Sequence, residues 1–141
     1  MAVKDYVSVT RISTDRDPEA LETEGRGYLA WKNGALAALF HNGEPMVFMA
    51  YLEFSGGVSR GNHYHLRQHQ YMIVLSGELR CKFLLPDDPE DVLELTLTQG
   101  DVLSAKPGCV HSYRAPDSAV AIEYSPHPYQ VSDLVNFPVE W

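Results

Sequence analysis

The sequence is short of cysteine, of positive charge and of long apolar runs, and each shortage removes a class of function. Two cysteines, Cys81 and Cys109, cannot build a disulfide framework or by themselves a zinc site, so both read as reduced packing residues. The 11 Lys+Arg are outnumbered by 19 Asp+Glu, which gives a formal charge of -8. Because the basic residues are also scattered, a surface that tracks the phosphates of nucleic acid or of an anionic membrane is not expected. The longest apolar runs, 35–40 and 46–52, fall far below the roughly 20 residues a membrane-crossing helix needs. The opening Met-Ala-Val-Lys-Asp leads into polar residues rather than the apolar core of a secretory signal, and a cytoplasmic location is the expectation.

Helical periodicity is also scarce. Only 17–22, with Asp17 and Pro18 placed as at a helix start, and 132–136 carry a helix-like pattern, and neither is long enough to set the architecture. Turn chemistry is plentiful instead: Asn33-Gly34, Asn42-Gly43, Ser55-Gly56-Gly57, Ser76-Gly77, an acidic loop over 86–91, Gln99-Gly100, Lys106-Pro107-Gly108 and Ala115-Pro116-Asp117-Ser118. Between these lie segments of strand length, at 7–12, 28–31, 35–40, 46–54, 70–75, 78–85, 92–97, 101–104, 111–114 and 120–124. In two of them the period of two is plain, since Leu79, Cys81, Phe83 and Leu85 share one face and Leu93, Leu95 and Leu97 another. Many short strands separated by frequent turns make an all-β sandwich or barrel. With 141 residues, 45% of them hydrophobic, the chain reads as one domain over 1–141 with its core at about 25–125. The acidic stretch 14–25 reads as a mobile surface segment, and the tail after Ser125, with Pro126, Pro128 and Pro138, as an extended run over the surface.

What the sequence has in concentration is histidine. Three of its 6 histidines, His63, His65 and His69, follow the Gly-rich turn and the Arg60-Gly61 pair. On an extended strand His63 and His65 project to the same side, and Gln70 opens the next apolar strand facing back across them. Much later Pro107-Gly108-Cys109-Val110-His111 sets another histidine just after a tight turn, and a barrel can bring these side chains to one interior point.

These motifs resemble those of the cupin superfamily. Its first motif is a Gly, five residues, His-x-His, three or four residues, Glu, six residues and Gly; here Gly57, His63-Tyr64-His65, Gln70 and Gly77 keep that spacing over 57–77. The second motif is approximated over 100–114 by Gly100, Lys106-Pro107-Gly108 and His111. Gln70 replaces the expected glutamate, and Lys106 the expected first proline. A narrower likeness accommodates the glutamine: Arg60-Gly61-Asn62-His63-Tyr64-His65, Gln70, Leu75-Ser76-Gly77, Pro107-Gly108-Cys109-Val110-His111-Ser112, His127-Pro128-Tyr129 with Asp133, and Arg26-Gly27-Tyr28-Leu29 resemble the dTDP-4-keto-6-deoxyhexose 3,4-ketoisomerases and their sugar epimerase relatives. The resemblance implies a single-domain cupin jelly-roll β-barrel with short N- and C-terminal extensions, in agreement with the strand pattern.

Two chemistries follow from the same motif. In the leading one the substrate is a small carbonyl compound, a nucleotide-linked 4-keto-6-deoxyhexose, isomerised or epimerised by proton transfer. His63 and His65 would serve as acid–base groups, Arg60 would pair with pyrophosphate, and Tyr64, Tyr113 or Tyr129 would stack on the base or donate to an enolate. No cofactor is required in that reading. In the alternative, His63, His65, Gln70 and His111, with His69 as a substitute, hold Zn, Mn, Ni or Fe for cyclase, lyase, isomerase or dioxygenase chemistry. The glutamine leaves such a site without protein charge and so weakens its hold on a cation. A third possibility is a non-catalytic ligand-sensing cupin. His41 and His127 read as hydrogen-bonded core residues, Tyr64 by alternation as facing away from its neighbouring histidines, and Glu78 and Glu123 as outward or core-edge carboxylates, although Glu123 has the option of facing the barrel. Lys106 reads as a turn residue. A homodimer is expected, since small jelly rolls commonly cover an edge strand by pairing.

Overall fold

The computed structural model describes residues 1–11, 26–30, 36–40 and 42–141. Among the described residues eleven strands run in chain order: β1 (Val7–Arg11), β2 (Arg26–Ala30), β3 (Leu36–Phe40), β4 (Phe48–Ser55), β5 (Ser59–His65), β6 (Gln70–Leu85), β7 (Asp88–Thr98), β8 (Asp101–Ala105), β9 (Val110–Arg114), β10 (Ser118–Ser125) and β11 (Leu134–Asn136). Two single 3-10 turns, Val3–Asp5 and Val131–Asp133, complete the assignment. No helix among the described residues is long and apolar enough to cross a membrane.

All pairings are antiparallel, and the strand that closes the barrel is β6. Its first half pairs with β8 and β10, and its second half with β7 and β9. The switch between partners falls at Gly77, whose φ is 81°. There a Cβ would collide with the Ser118 carbonyl oxygen, so only glycine lets β10 pass this close to the corner. The outer strands follow from this hub. β1 covers β8, β4 pairs with β10, β5 pairs with β9, and β11 adds itself to β5, while β2 and β3 form a separate hairpin.

The period-two faces read from the sequence point where expected. Leu79, Cys81 and Phe83 are at most 1% exposed, and with Val74, Leu97, Leu103 and Met72 they fill the closed end of the barrel. Several boundaries differ from the sequence expectation, each for a local reason. The segments 70–75 and 78–85 are one strand, because Ser76-Gly77 bends the chain without reversing it. The acidic stretch 86–91 is a loop only at Pro86 and Asp87, and β7 begins at Asp88 to complete a tight hairpin. The region 132–136 is a 3-10 turn followed by β11, since backbone pairing with β5 outweighs its weak helical pattern. Expectations for 14–25 and for the 17–22 turn lie outside the described residues.

Candidate functional site

The site begins with a defect in β5. Ser59, Arg60 and Gly61 face Arg114, Tyr113 and Ser112 of β9 in turn, but the next pair is His63 with His111, so Asn62 is an extra residue without a partner. Such a bulge shifts side-chain parity by one. In an unbroken strand Arg60 and His63 would face opposite ways; with the bulge, Arg60, His63 and His65 all line one cavity. Asn62 takes the strained position with φ 56°, a conformation that asparagine tolerates better than most residues. Gly61 beside it is obligatory, since a Cβ there would sit 2.6 Å from the His111 carbonyl oxygen.

The cavity, about 170 Å³, is walled by Phe48, Ala50, Leu52 and Phe54 on one side and by the histidines, Gln70, Tyr113 and Glu123 on the other. The ligand atoms of His63, His65 and His111 lie within 4.8 Å of one another. Their rings pack edge-on or stacked, with centroids 4.7 Å apart for His63 and His111 and 5.0 Å for His63 and His65. All three are held neutral. Burial, and then the neighbouring His65, lowers the His63 pKa to about 4. Burial pushes His111 well below the usual imidazole value, and the other two rings add to this. Burial also lowers His65, but there a carboxylate pulls the other way.

That carboxylate is Asp133, from the turn before β11. One of its oxygens lies 3.3 Å from His65 Nδ1, and it accepts the backbone N–H groups of Arg67 at 2.7 Å and Gln68 at 3.1 Å. Burial alone would raise the Asp133 pKa, but these backbone donors and the Arg67 side chain leave it below the ordinary aspartate value. The pairing fits a neutral His65 that donates from Nδ1 and keeps the lone pair on Nε2. The Gln70 amide nitrogen lies 2.7 Å from that Nε2 and also donates to Glu123 Oε1 at 2.7 Å. A polar chain Asp133–His65–Gln70–Glu123 thus crosses the barrel, with Gln70 Oε1 buried and without a partner. Burial raises the Glu123 pKa to about 7, which Arg60 partly offsets.

The other residues singled out from the sequence divide cleanly. Tyr113 is buried in the cavity wall and stacks on His111 at 5.3 Å; Tyr129 stands at the mouth, stacked on Phe48 at 5.6 Å. Tyr64 and His69 are not among the residues lining the cavity. Tyr64 is placed opposite Val135 of β11, and His69 stacks on Tyr71 while its Nε2 lies 2.7 Å from Ser104 Oγ. His127 is exposed rather than in the core, its Nδ1 receiving the His69 N–H at 3.5 Å, because the Pro126 and Pro128 segment carries it outside the barrel. His41 lies outside the described residues. Lys106 does sit in a turn, where it donates to the Asp5 carbonyl oxygen. Glu78 faces outward toward Arg80.

Two residues had no assigned place in the site from sequence alone. Asp133 is distant from the motifs, and only its position after His127-Pro128-Tyr129 marked it. Glu123 had a signal: Ala119, Ala121 and Ser125 are buried at alternate positions along β10, and Glu123 keeps the same parity.

A family model described as Cupin matches residues 25–133. No curated protein matches the sequence. Solved structures do. The sugar 3,4-ketoisomerase QdtA from Thermoanaerobacterium thermosaccharolyticum, solved in complex with TDP, is 16% identical with a TM-score of 0.69, over 92% of this chain and 87% of that one. The TDP-quinovose 3,4-ketoisomerase WlaRB from Campylobacter jejuni is 13% identical with a TM-score of 0.70, over 92% of each chain. CapF, a capsular polysaccharide assembling protein from Staphylococcus aureus, is 18% identical with a TM-score of 0.60, over 64% of this chain and 26% of its own.

Proposed function

The chain belongs to the cupin family, and from that premise we propose that it is an isomerase moving a proton along a TDP-linked 4-keto-6-deoxyhexose, so that the ketone passes from C4 to C3. The observation that carries this reading is the His65–Asp133 pair at 3.3 Å inside the cavity. A proton taken from carbon must rest on a base, and in this cavity a cation is disfavoured at His63 and His111. At His65 the Asp133 carboxylate compensates the new charge. The likeness to two TDP-sugar 3,4-ketoisomerases over 92% of the chain supports the substrate class.

The carbon beside the ketone bears an acidic hydrogen. His65 Nε2 takes that C3 hydrogen as a proton, the C3–C4 bond gains double-bond character, and the C4 oxygen becomes an enediolate. The C3 hydroxyl proton passes to the C4 oxygen, for which His63 serves as shuttle. The C3 ketone forms as the proton on His65 returns to C4, so that atoms and charge balance. The Gln70 amide gives up its contact with Nε2 to the substrate in this step. Tyr113, whose pKa burial raises well above the ordinary phenol value, stays protonated and is suited to donate to the enediolate. Enclosed ligand sites usually span about 300–1,000 Å³, so a cavity of about 170 Å³ suits the reacting sugar alone. Arg60 and Tyr129 at its mouth are left for the pyrophosphate and the base. The test is incubation with TDP-4-keto-6-deoxyglucose in D2O followed by NMR: deuterium enters the sugar ring and the 3-keto product accumulates. No exchange, together with no thermal stabilisation by TDP, would refute the reading.

One observation favours a second reading. Three neutral imidazoles within 4.8 Å, with the orphaned Gln70 oxygen beside them, fit a divalent cation. His63, His65, His111 and Gln70 would hold it, and it would supply Lewis-acid stabilisation of an oxyanion. About one zinc, manganese, nickel or iron ion per chain after dialysis, lost in His111→Ala, supports this second reading.

A further inference from the structure

The bulge that brings Arg60, His63 and His65 to one side has a support outside the cavity. On the outer face of the barrel Trp141 Nε1 donates to Ser112 Oγ at 2.9 Å, and Ser112 Oγ donates in turn to Asn62 Oδ1 at 2.9 Å. The Asn62 carbonyl oxygen accepts the Phe137 N–H at 2.8 Å, and Asn62 Nδ2 reaches Ser59 Oγ at 3.4 Å. Trp141 is itself held from below. Lys82 Nζ lies 5.1 Å from the centroid of its ring and donates to the Glu140 carbonyl oxygen at 2.9 Å. Ser112 is fully buried although it belongs to the outward-facing set of β9, where it stands opposite Gly61 and Lys82.

We propose that Trp141 is a positioning residue for the histidine cluster, acting through Ser112 on the Asn62 bulge and so on the direction of His63. The inference rests on the proposed use of His63 and His65, but its structural part stands apart from it. A left-handed residue in a strand is costly unless its surroundings over-determine it. Here every polar atom of the Asn62 side chain is bonded, and its carbonyl is tied to the same tail that supplies Trp141. If the bulge relaxes, side-chain parity changes by one and His63 turns away from His111. The segment from Asp133 to Trp141 therefore braces both histidines, His65 directly through Asp133 and His63 at one remove.

The test compares Trp141→Phe, which keeps a ring over Lys82 but lacks the N–H, with Ser112→Ala and the double variant. Two quantities are followed: turnover of TDP-4-keto-6-deoxyglucose, and the NOE between the imidazole protons of His63 and His111. Each single variant is expected to lose that NOE and to lower kcat about ten- to hundredfold, the scale of a misplacement near 1 Å, with KM little changed. The double variant is expected to be no worse than either single one, because the two groups act in series. An NOE kept at full strength in Ser112→Ala and in Trp141→Phe overturns the proposal, whatever happens to the melting temperature. Absence of ketoisomerase turnover in the unaltered protein counts against the proposed function alone, and the NOE then decides this inference by itself.

Discussion

The two ends of the barrel are built from the same strands to opposite ends. Along β6, Leu79 and Cys81, opposite Leu97 and Leu95 of β7, close one end with apolar side chains. At the start of that strand Gln70, with His111 of β9, Glu123 of β10 and, beyond β9, His65 of β5, lines an open and polar cavity. The closed end gains stability from each side chain it hides from water. The open end gives stability away: its histidines are pushed toward low pKa and its glutamate toward high pKa, so each is held in the form that burial favours. At His65 the Asp133 carboxylate opposes that tendency without overcoming it, at the ring that would gain a charge in the proposed proton transfer.

Substitutions at the two ends should therefore separate activity from stability. The largest effect is expected for His65→Asn, which lowers turnover by about 10²–10⁴-fold while the urea midpoint hardly moves. Steady-state rates and equilibrium unfolding on one preparation check both halves. Leu79→Ala is the converse, a loss of about 2–5 kcal/mol in unfolding free energy, read from urea melts, with turnover per folded molecule near that of the parent protein. Equal losses of stability in both variants would end the distinction between the two ends.

A smaller effect is expected in pH dependence, where two groups of the open end pull in opposite directions. The pKa of His63 is about 4 in the fold, against 6.5 ordinarily. Between these values the unfolded chain binds a proton that the fold refuses, so stability falls as pH drops from 6.5 toward 4, and His63→Asn flattens that fall. Glu123 titrates near 7 in the fold, against 4.5 ordinarily. It contributes stability below 4.5 that is lost as pH rises through 7. Glu123→Gln should then gain about 3 kcal/mol over the parent protein at pH 8 and nothing at pH 4. Thermal melts across that range would show whether the two slopes have these signs.

Much of this contrast was legible in the sequence, and its limits have physical causes. Alternation identified the apolar faces because a period of two survives wherever one side is dry, as it does at Leu79, Cys81 and Phe83. It did not identify β5 as a strand, because Ser59–His65 is rich in Gly, Asn and His and is ordered by its partners rather than by propensity. The histidine cluster was legible from spacing. The parity change that lets Arg60 join it was not, since a bulge is a property of two strands together. Asp133 stayed hidden because it stands 68 residues from His65 and meets it only in the folded chain. His69 illustrates the reverse case: near the motif in sequence, it leaves the site because residues 66–69 carry the chain around the barrel rim.

The pairing of β5 also bears on when the site comes into being. Its partners β9 and β11 both follow it at long sequence separation, whereas β6 and β7 close on each other through a two-residue turn. Bringing distant segments together carries a loop-closure entropy that a local hairpin escapes. The β6–β7 hairpin is thus placed to form early, and the histidine strand to acquire its last neighbour only when β11 arrives. During synthesis the barrel wall would precede the histidine cluster. Pulse-labelling hydrogen exchange would record this as protection at Leu79 and Phe83 before His63, and simultaneous protection would remove the distinction.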